Sequence, residues 1–99
     1  MVKFLRFSTV EGERILNVEA CDIVKLIDVN TIQIFPVPFI QGVIEWSISR
    51  DGVNGVDFDG ALVDRINDAI IRAEQTSYSQ VMIDVVVPSK YAIKDILST

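Results

Sequence analysis

The residues of this chain best suited to chemistry are oxygen donors. Asp51, Asn54, Asp57 and Asp59 alternate with Gly52, Gly55 and Gly60 in a single polar stretch. Carboxylates on a glycine-rich loop are the ligand type that hard cations such as calcium select. An EF-hand loop also needs a D-x-[DN]-x-[DN]-G order closed by a glutamate at the twelfth place. With Gly60 as the loop glycine, the first place falls on Gly55 and the twelfth on Ile66, so the pattern fails. A phosphate-cradling loop fails too, because Ala61 stands where a lysine must follow the glycine. The stretch therefore reads as a turn leading into a helix, with Asp57 or Asp59 accepting the orphan amides at its start.

Nothing else supplies catalytic machinery. The chain has no histidine, which removes the commonest general base and the commonest metal ligand. Cys21 is the sole cysteine, so no intrachain disulfide forms, and with no imidazole to activate it the thiol reads as structural. Glu45 and Asp84 lie inside strand-like runs, where a solvated face or a subunit contact explains them. No pair of carboxylates stands out for acid–base work. The expectation is a non-enzymatic protein with no catalytic residue, no metal and no cofactor.

The elements that position these residues follow from periodicity. From Asp59 to Thr76, Leu62, Ile66, Ala69, Ile70 and Ala73 recur at three- and four-residue intervals, predicting an amphipathic helix with those five facing the core. Val2 to Phe7, Arg14 to Val18, Ile23 to Val29, Thr31 to Phe35, Val43 to Ile48 and Gln80 to Val87 read as strands. Glu11-Gly12-Glu13 turns the first pair into a hairpin, and Asn30 turns the third strand into the fourth. Pro36 and Pro38 donate no backbone hydrogen bond and mark a bend, bulge or edge. Alternation places Trp46 on the apolar side with Ile44 and Ile48, under the helix. Tyr91 to Leu97 reads as one or two helical turns with Ile93, Ile96 and Leu97 inward.

Ninety-nine residues fit one domain spanning 1–99. A chain this short buries only about 60–65% of its unfolded surface. Its hydrophobic content of 49% is more than one small core hides easily, which points to self-association. Fourteen acidic against nine basic residues leave a net charge of −5, a poor starting point for phosphate-backbone binding. No apolar run reaches the roughly 18–20 residues of a membrane span, and the charged start Met1-Val2-Lys3-Phe4-Leu5-Arg6 lacks a signal-peptide core. A cytoplasmic protein with no membrane partner is expected.

Several segments together resemble a group of small marine phage proteins of cyanophage type. These are the M-x-K-F opening, Ile15-Leu16-Asn17-Val18 through Asp22-Ile23-Val24, and Val63-Asp64-Arg65-Ile66-Asn67-Asp68-Ala69-Ile70. Proteins of this look are similar to the Sm-like barrel. The resemblance implies a mainly β (α+β) fold, a small, strongly bent antiparallel barrel with one amphipathic helix. It also implies a cyclic homo-oligomer of about five to seven subunits, acting in the host cytoplasm if the source is viral. Sm proteins read RNA with an Asp and an Asn near one turn and an Arg-Gly pair later. The matching positions here are Asp28 and Asn30, then Arg50, which Asp51 separates from Gly52. An RNA-binding ring would need Lys25, Asn30 and Arg50 of each subunit to converge at one mouth, beside Asp28. A phage virion or assembly protein that binds no nucleic acid is the alternative, needing self-association alone.

Overall fold

The computed structural model describes residues 2–18, 21, 23–35, 45–76 and 80–98. Among them run β1 (Val2–Thr9), β2 (Gly12–Asn17), β3 (Ile23–Asp28), β4 (Thr31–Phe35), β5 (Trp46–Arg50), α1 (Gly60–Gln75), β6 (Gln80–Asp84) and β7 (Ile93–Ser98). They form a three-stranded sheet in the order β2-β1-β6 and a four-stranded sheet in the order β3-β4-β5-β7.

The first sheet starts from a hairpin. Gly12 takes φ 118°, a conformation that side chains with a Cβ avoid, and Thr9 Oγ1 donates to the Gly12 carbonyl. This turn sets β1 against β2 with Leu5 opposite Leu16 and Phe7 opposite Arg14. Period two then sends Leu5, Phe7 and Leu16 inward, all buried. β6 returns on the other side of β1 in parallel, Leu5 opposite Ile83, after the chain has crossed over through α1.

α1 is organised by its apolar stripe. Leu62, Ile66, Ala69, Ile70 and Ala73 are its buried residues, the five that the spacing predicts. Asp59 is the N-cap, accepting the Leu62 amide at 3.2 Å. At the other end the buried Lys3 ammonium donates to the carbonyls of Glu74 at 3.3 Å and Thr76 at 3.2 Å, two acceptors the last turn leaves over.

On one side the sheets are tied together. The Val10 amide donates to the Ile93 carbonyl at 2.9 Å, and Arg14 on β2 holds Asp95 on β7 at 2.7 Å. On the other side α1 packs against β1, β6 and β3, so the helix lies between the β6 and β3 edges. Ile32, Ile34, Ile48, Ile93 and Ile96 of the second sheet meet the helix stripe and Phe58 in one core.

Three expectations need correction. Among the described residues the fold is mainly β with one helix, but the strands form two sheets and do not close into a barrel. Nor is the pairing wholly antiparallel, because β1 and β6 run parallel. The segment read as helical turns near the C-terminus is β7, antiparallel to β5. Its apolar residues fall three apart because the register shifts between Ser49 and Arg50, so that Ile96 faces Ile48 and Ile93 faces Arg50. Ile93 and Ile96 are buried as expected, whereas Leu97 is exposed. Pro36, Pro38, Val43 and Ile44 lie outside the described residues. Trp46 is half-buried and packs on the core, with its indole N–H enclosed and without a hydrogen-bond partner.

Candidate functional site

Asp28, Asn30 and Arg50 come together at one end of the four-stranded sheet. Asp28 ends β3 and accepts the Asn30 amide at 2.8 Å, an Asx turn that reverses the chain into β4. Arg50 closes β5 beside it, and its backbone amide donates to the Asn30 carbonyl at 2.9 Å. Its guanidinium then divides three ways. Nε donates to Asn30 Oδ1 at 2.8 Å, Nη1 donates to the Gly55 carbonyl at 2.9 Å, and Nη2 lies 3.5 Å from Asp57 Oδ1. Only 16% of the side chain remains exposed.

Lys25 stands apart from this cluster. It lies opposite Gln33 on the exposed β3, three residues before Asp28. The lysines near the loop carboxylates are Lys94, beside Asp51, and Lys90, beside Asp59.

The acidic loop is held from within and from behind. Asp51 accepts the Val53 amide at 2.9 Å and the Asn54 side-chain amide at 3.0 Å. These bonds, the Asn54 one foremost, hold its carboxyl below the ordinary range. The Asp51 amide donates to the Ala92 carbonyl and the Val56 amide to the Lys90 carbonyl. Gly55 sits so close to this support that a Cβ there would lie 2.5 Å from the Ala92 nitrogen. Phe58 donates its amide to the Val29 carbonyl and buries its ring.

Each loop carboxylate thus has its own task. Asp51 shapes a turn, Asp57 faces Arg50, and Asp59 caps α1 while accepting the Tyr91 hydroxyl. The Tyr91 bond, more than any other, lowers the Asp59 pKa and raises that of the phenol. Among the described residues no three acidic or cysteine side chains converge as a metal site. Cys21 is buried, and desolvation pushes its thiol up to about 12, far from a nucleophile's range.

Four long-range polar contacts had no sequence signal. Lys3 with the end of α1, Arg6 with Asp84, Arg14 with Asp95 and Tyr91 with Asp59 join residues distant in the chain, so no local pattern announces them.

Apolar side chains on an exposed strand are the other surface feature. Ile23, Leu26, Ile27 and Val29 are all exposed along and just beyond β3, which has no strand on its outer side among the described residues. Among the described residues no helix is long and apolar enough to cross a membrane. Comparison with known proteins finds no matching family model, no matching curated protein and no matching solved structure.

Proposed function

We propose that this chain is a non-enzymatic, self-associating structural protein that assembles into a closed homo-oligomer, in the manner of a phage virion or assembly component. The apolar β3 edge carries this reading. An edge strand offers a row of backbone donors and acceptors, and monomeric proteins normally blunt it with charge or cover. Here Lys25 and Asp28 are the only charges on a six-residue strand otherwise made of Ile, Val and Leu. Pairing between copies satisfies the edge, and a ring does so without leaving a growing end. The Sm-like character then lies in assembly through open sheet edges, with α1 filling the side that a closed barrel would pair.

The RNA-binding form of the ring rests on the meeting of Asp28, Asn30 and Arg50. Against it stands the state of Arg50, whose donors already serve Asn30, Gly55 and Asp57. Phosphate contacts need available cations, but Lys25 stands away from this cluster, and Lys94 and Lys90 sit beside the carboxylates of Asp51 and Asp59. The assembly role without nucleic acid is therefore the stronger reading.

Sedimentation velocity with fluorescent U-rich and A-rich RNA tests both parts. The expected result is protein sedimenting as a multimer while the RNA stays at its own rate. RNA that co-sediments at physiological salt, and is released as salt rises, would establish the RNA-binding ring instead.

A further inference from the structure

We propose that the β3 edge of one copy pairs in parallel with the β6 edge of the next, in the register that sets Lys25 beside Asp84. This inference rests on the self-association proposed above and names the two surfaces that mate. Among the described residues β3 and β6 are outer strands of their sheets. Bonds already made decide which backbone groups each edge offers. The Arg50 amide donates to the Asn30 carbonyl, so Asn30, Ile32 and Ile34 turn to β5 while Gln33 and Phe35 turn to β3. Ile23 and Lys25, opposite Phe35 and Gln33, therefore face β4, and Val24 and Leu26 offer their groups to the open side. On β6 the Val85 amide donates to the Arg6 carbonyl, which leaves Met82, Asp84 and Val86 facing outward from the sheet edge.

The side-chain faces then select the direction. Val24 and Leu26 lie on the core face, opposite Ile34 and Ile32, whereas Met82 and Asp84 are exposed on the outer face. Antiparallel pairing opposes residues that both offer their groups, which sets core side chains against outer ones. Parallel pairing opposes an offering residue to one turned away, and the faces match. The Asp84 amide then donates to the Val24 carbonyl, its carbonyl accepts the Leu26 amide, and the Met82 carbonyl accepts the Val24 amide.

Charge and apolar contacts fix the register. Asp84 is held by Arg6 on one side, yet its side chain stays 63% exposed, so a second cation has room on the other. A shift of two residues either way sets Lys25 beside Met82 or Val86 and loses that pair. With Lys25 beside Asp84, the exposed Ile23 meets the exposed Met82, and Val24 meets Ile83, both at the core margin. The β-bulge after Leu26 brings the exposed Ile27 to the level of Val86. There Val86 and the exposed Ile71 of α1 border a groove of about 390 Å³, with Arg65, Asp68 and Arg72 around it. The contact joins two different edges, so repetition around an axis gives a ring.

Cysteine cross-linking tests both direction and register, because neighbouring strands lie about 4.7–4.9 Å apart, within disulfide range. Protein carrying Ile23→Cys is mixed with protein carrying Met82→Cys and oxidised, wild type with its buried Cys21 serving as the background. Covalent dimers are expected from this mixture and none from either variant alone. The double variant should give a ladder beyond dimer on a non-reducing gel. Ile23→Cys mixed with Val86→Cys should stay unlinked, because four residues of strand, about 13 Å, separate the two positions. Lys25→Glu should raise the protein concentration needed for assembly about fivefold. A multimeric wild type in which Ile23→Cys links to Val86→Cys, or to neither partner, overturns this pairing and leaves self-association standing. A ladder that stops at dimer, or assembly indifferent to Lys25→Glu, overturns it as well. A monomeric wild type overturns both readings.

Discussion

The guanidinium of Arg50 donates to the side-chain carbonyl of Asn30 at 2.8 Å, binding the end of β5 to the turn between β3 and β4. The same guanidinium reaches Gly55 and Asp57, so one side chain fastens the acidic loop to the sheet. Two residues singled out as RNA readers thus meet, and the product of their meeting is a structural clamp. Arg50→Ala should cost about 1.5–3 kcal/mol, the range for hydrogen bonds to a charged group. Lys cannot reproduce the three-way fork, so Arg50→Lys should recover only part of the loss. Urea midpoints for the three proteins check this, and an unchanged midpoint in Arg50→Ala would show the clamp to be idle.

Lys3 makes a second prediction. Its buried ammonium satisfies two carbonyls at the end of α1, where the helix dipole also favours a positive charge. Lys3→Met keeps the apolar stem but leaves those acceptors without their donor. Stability should fall by about 1–2 kcal/mol, with amide exchange rising first in the last turn of α1. Exchange that rises evenly across the chain would place the effect elsewhere.

Acid should weaken the fold in a defined window. Asp59 beside the Tyr91 hydroxyl, Asp84 beside Arg6 and Asp95 beside Arg14 all have carboxyl pKa values below the ordinary one. A folded pKa that is depressed contributes stability present above the unfolded value, near 3.9, and lost as pH falls through the folded value. Urea midpoints should therefore hold steady down to about pH 5 and drop below about pH 4. Replacing Asp95 with Asn should shrink that drop. The Tyr91 phenol is raised, so its share is full below about pH 10 and lost above. A midpoint that climbs on acidification would contradict these signs.

Much of this was legible in the sequence, and the failures have physical causes. The stripe from Leu62 to Ala73 is a strong signal because a 3.6-residue period over about three turns has few competing explanations. The helix cap was legible only as Asp57 or Asp59, because both are oxygen acceptors just before the stripe, and the structure selects Asp59. β7 was misread because a bulge opposite Arg50 gives a strand the three-residue spacing of a helix. The parallel pairing of β1 with β6 was hidden because partner choice depends on the crossover, not on either strand. Asp28, Asn30 and Arg50 lie together while Lys25 stands apart, and neither that split nor the hydrogen-bond directions can be seen in a list of residue types.

Trp46 offers an optical check on the register of β5. It packs at the core margin, its indole N–H shut away from water and without a protein acceptor. Native emission should be blue-shifted and should move red on unfolding. Trp46→Phe removes the unsatisfied donor and some packing area, two opposed effects that should leave stability within about 1.5 kcal/mol of wild type. Emission already at the solvated wavelength in the native state would contradict this placement.

Light scattering on a size-exclusion column tests self-association most directly. A protomer weighs 11.1 kDa. At micromolar concentration the account predicts one discrete species of several protomers, about five to seven if the ring has the size the resemblance implies, with no growth to larger mass as concentration rises. A single 11.1 kDa species across that range would contradict it.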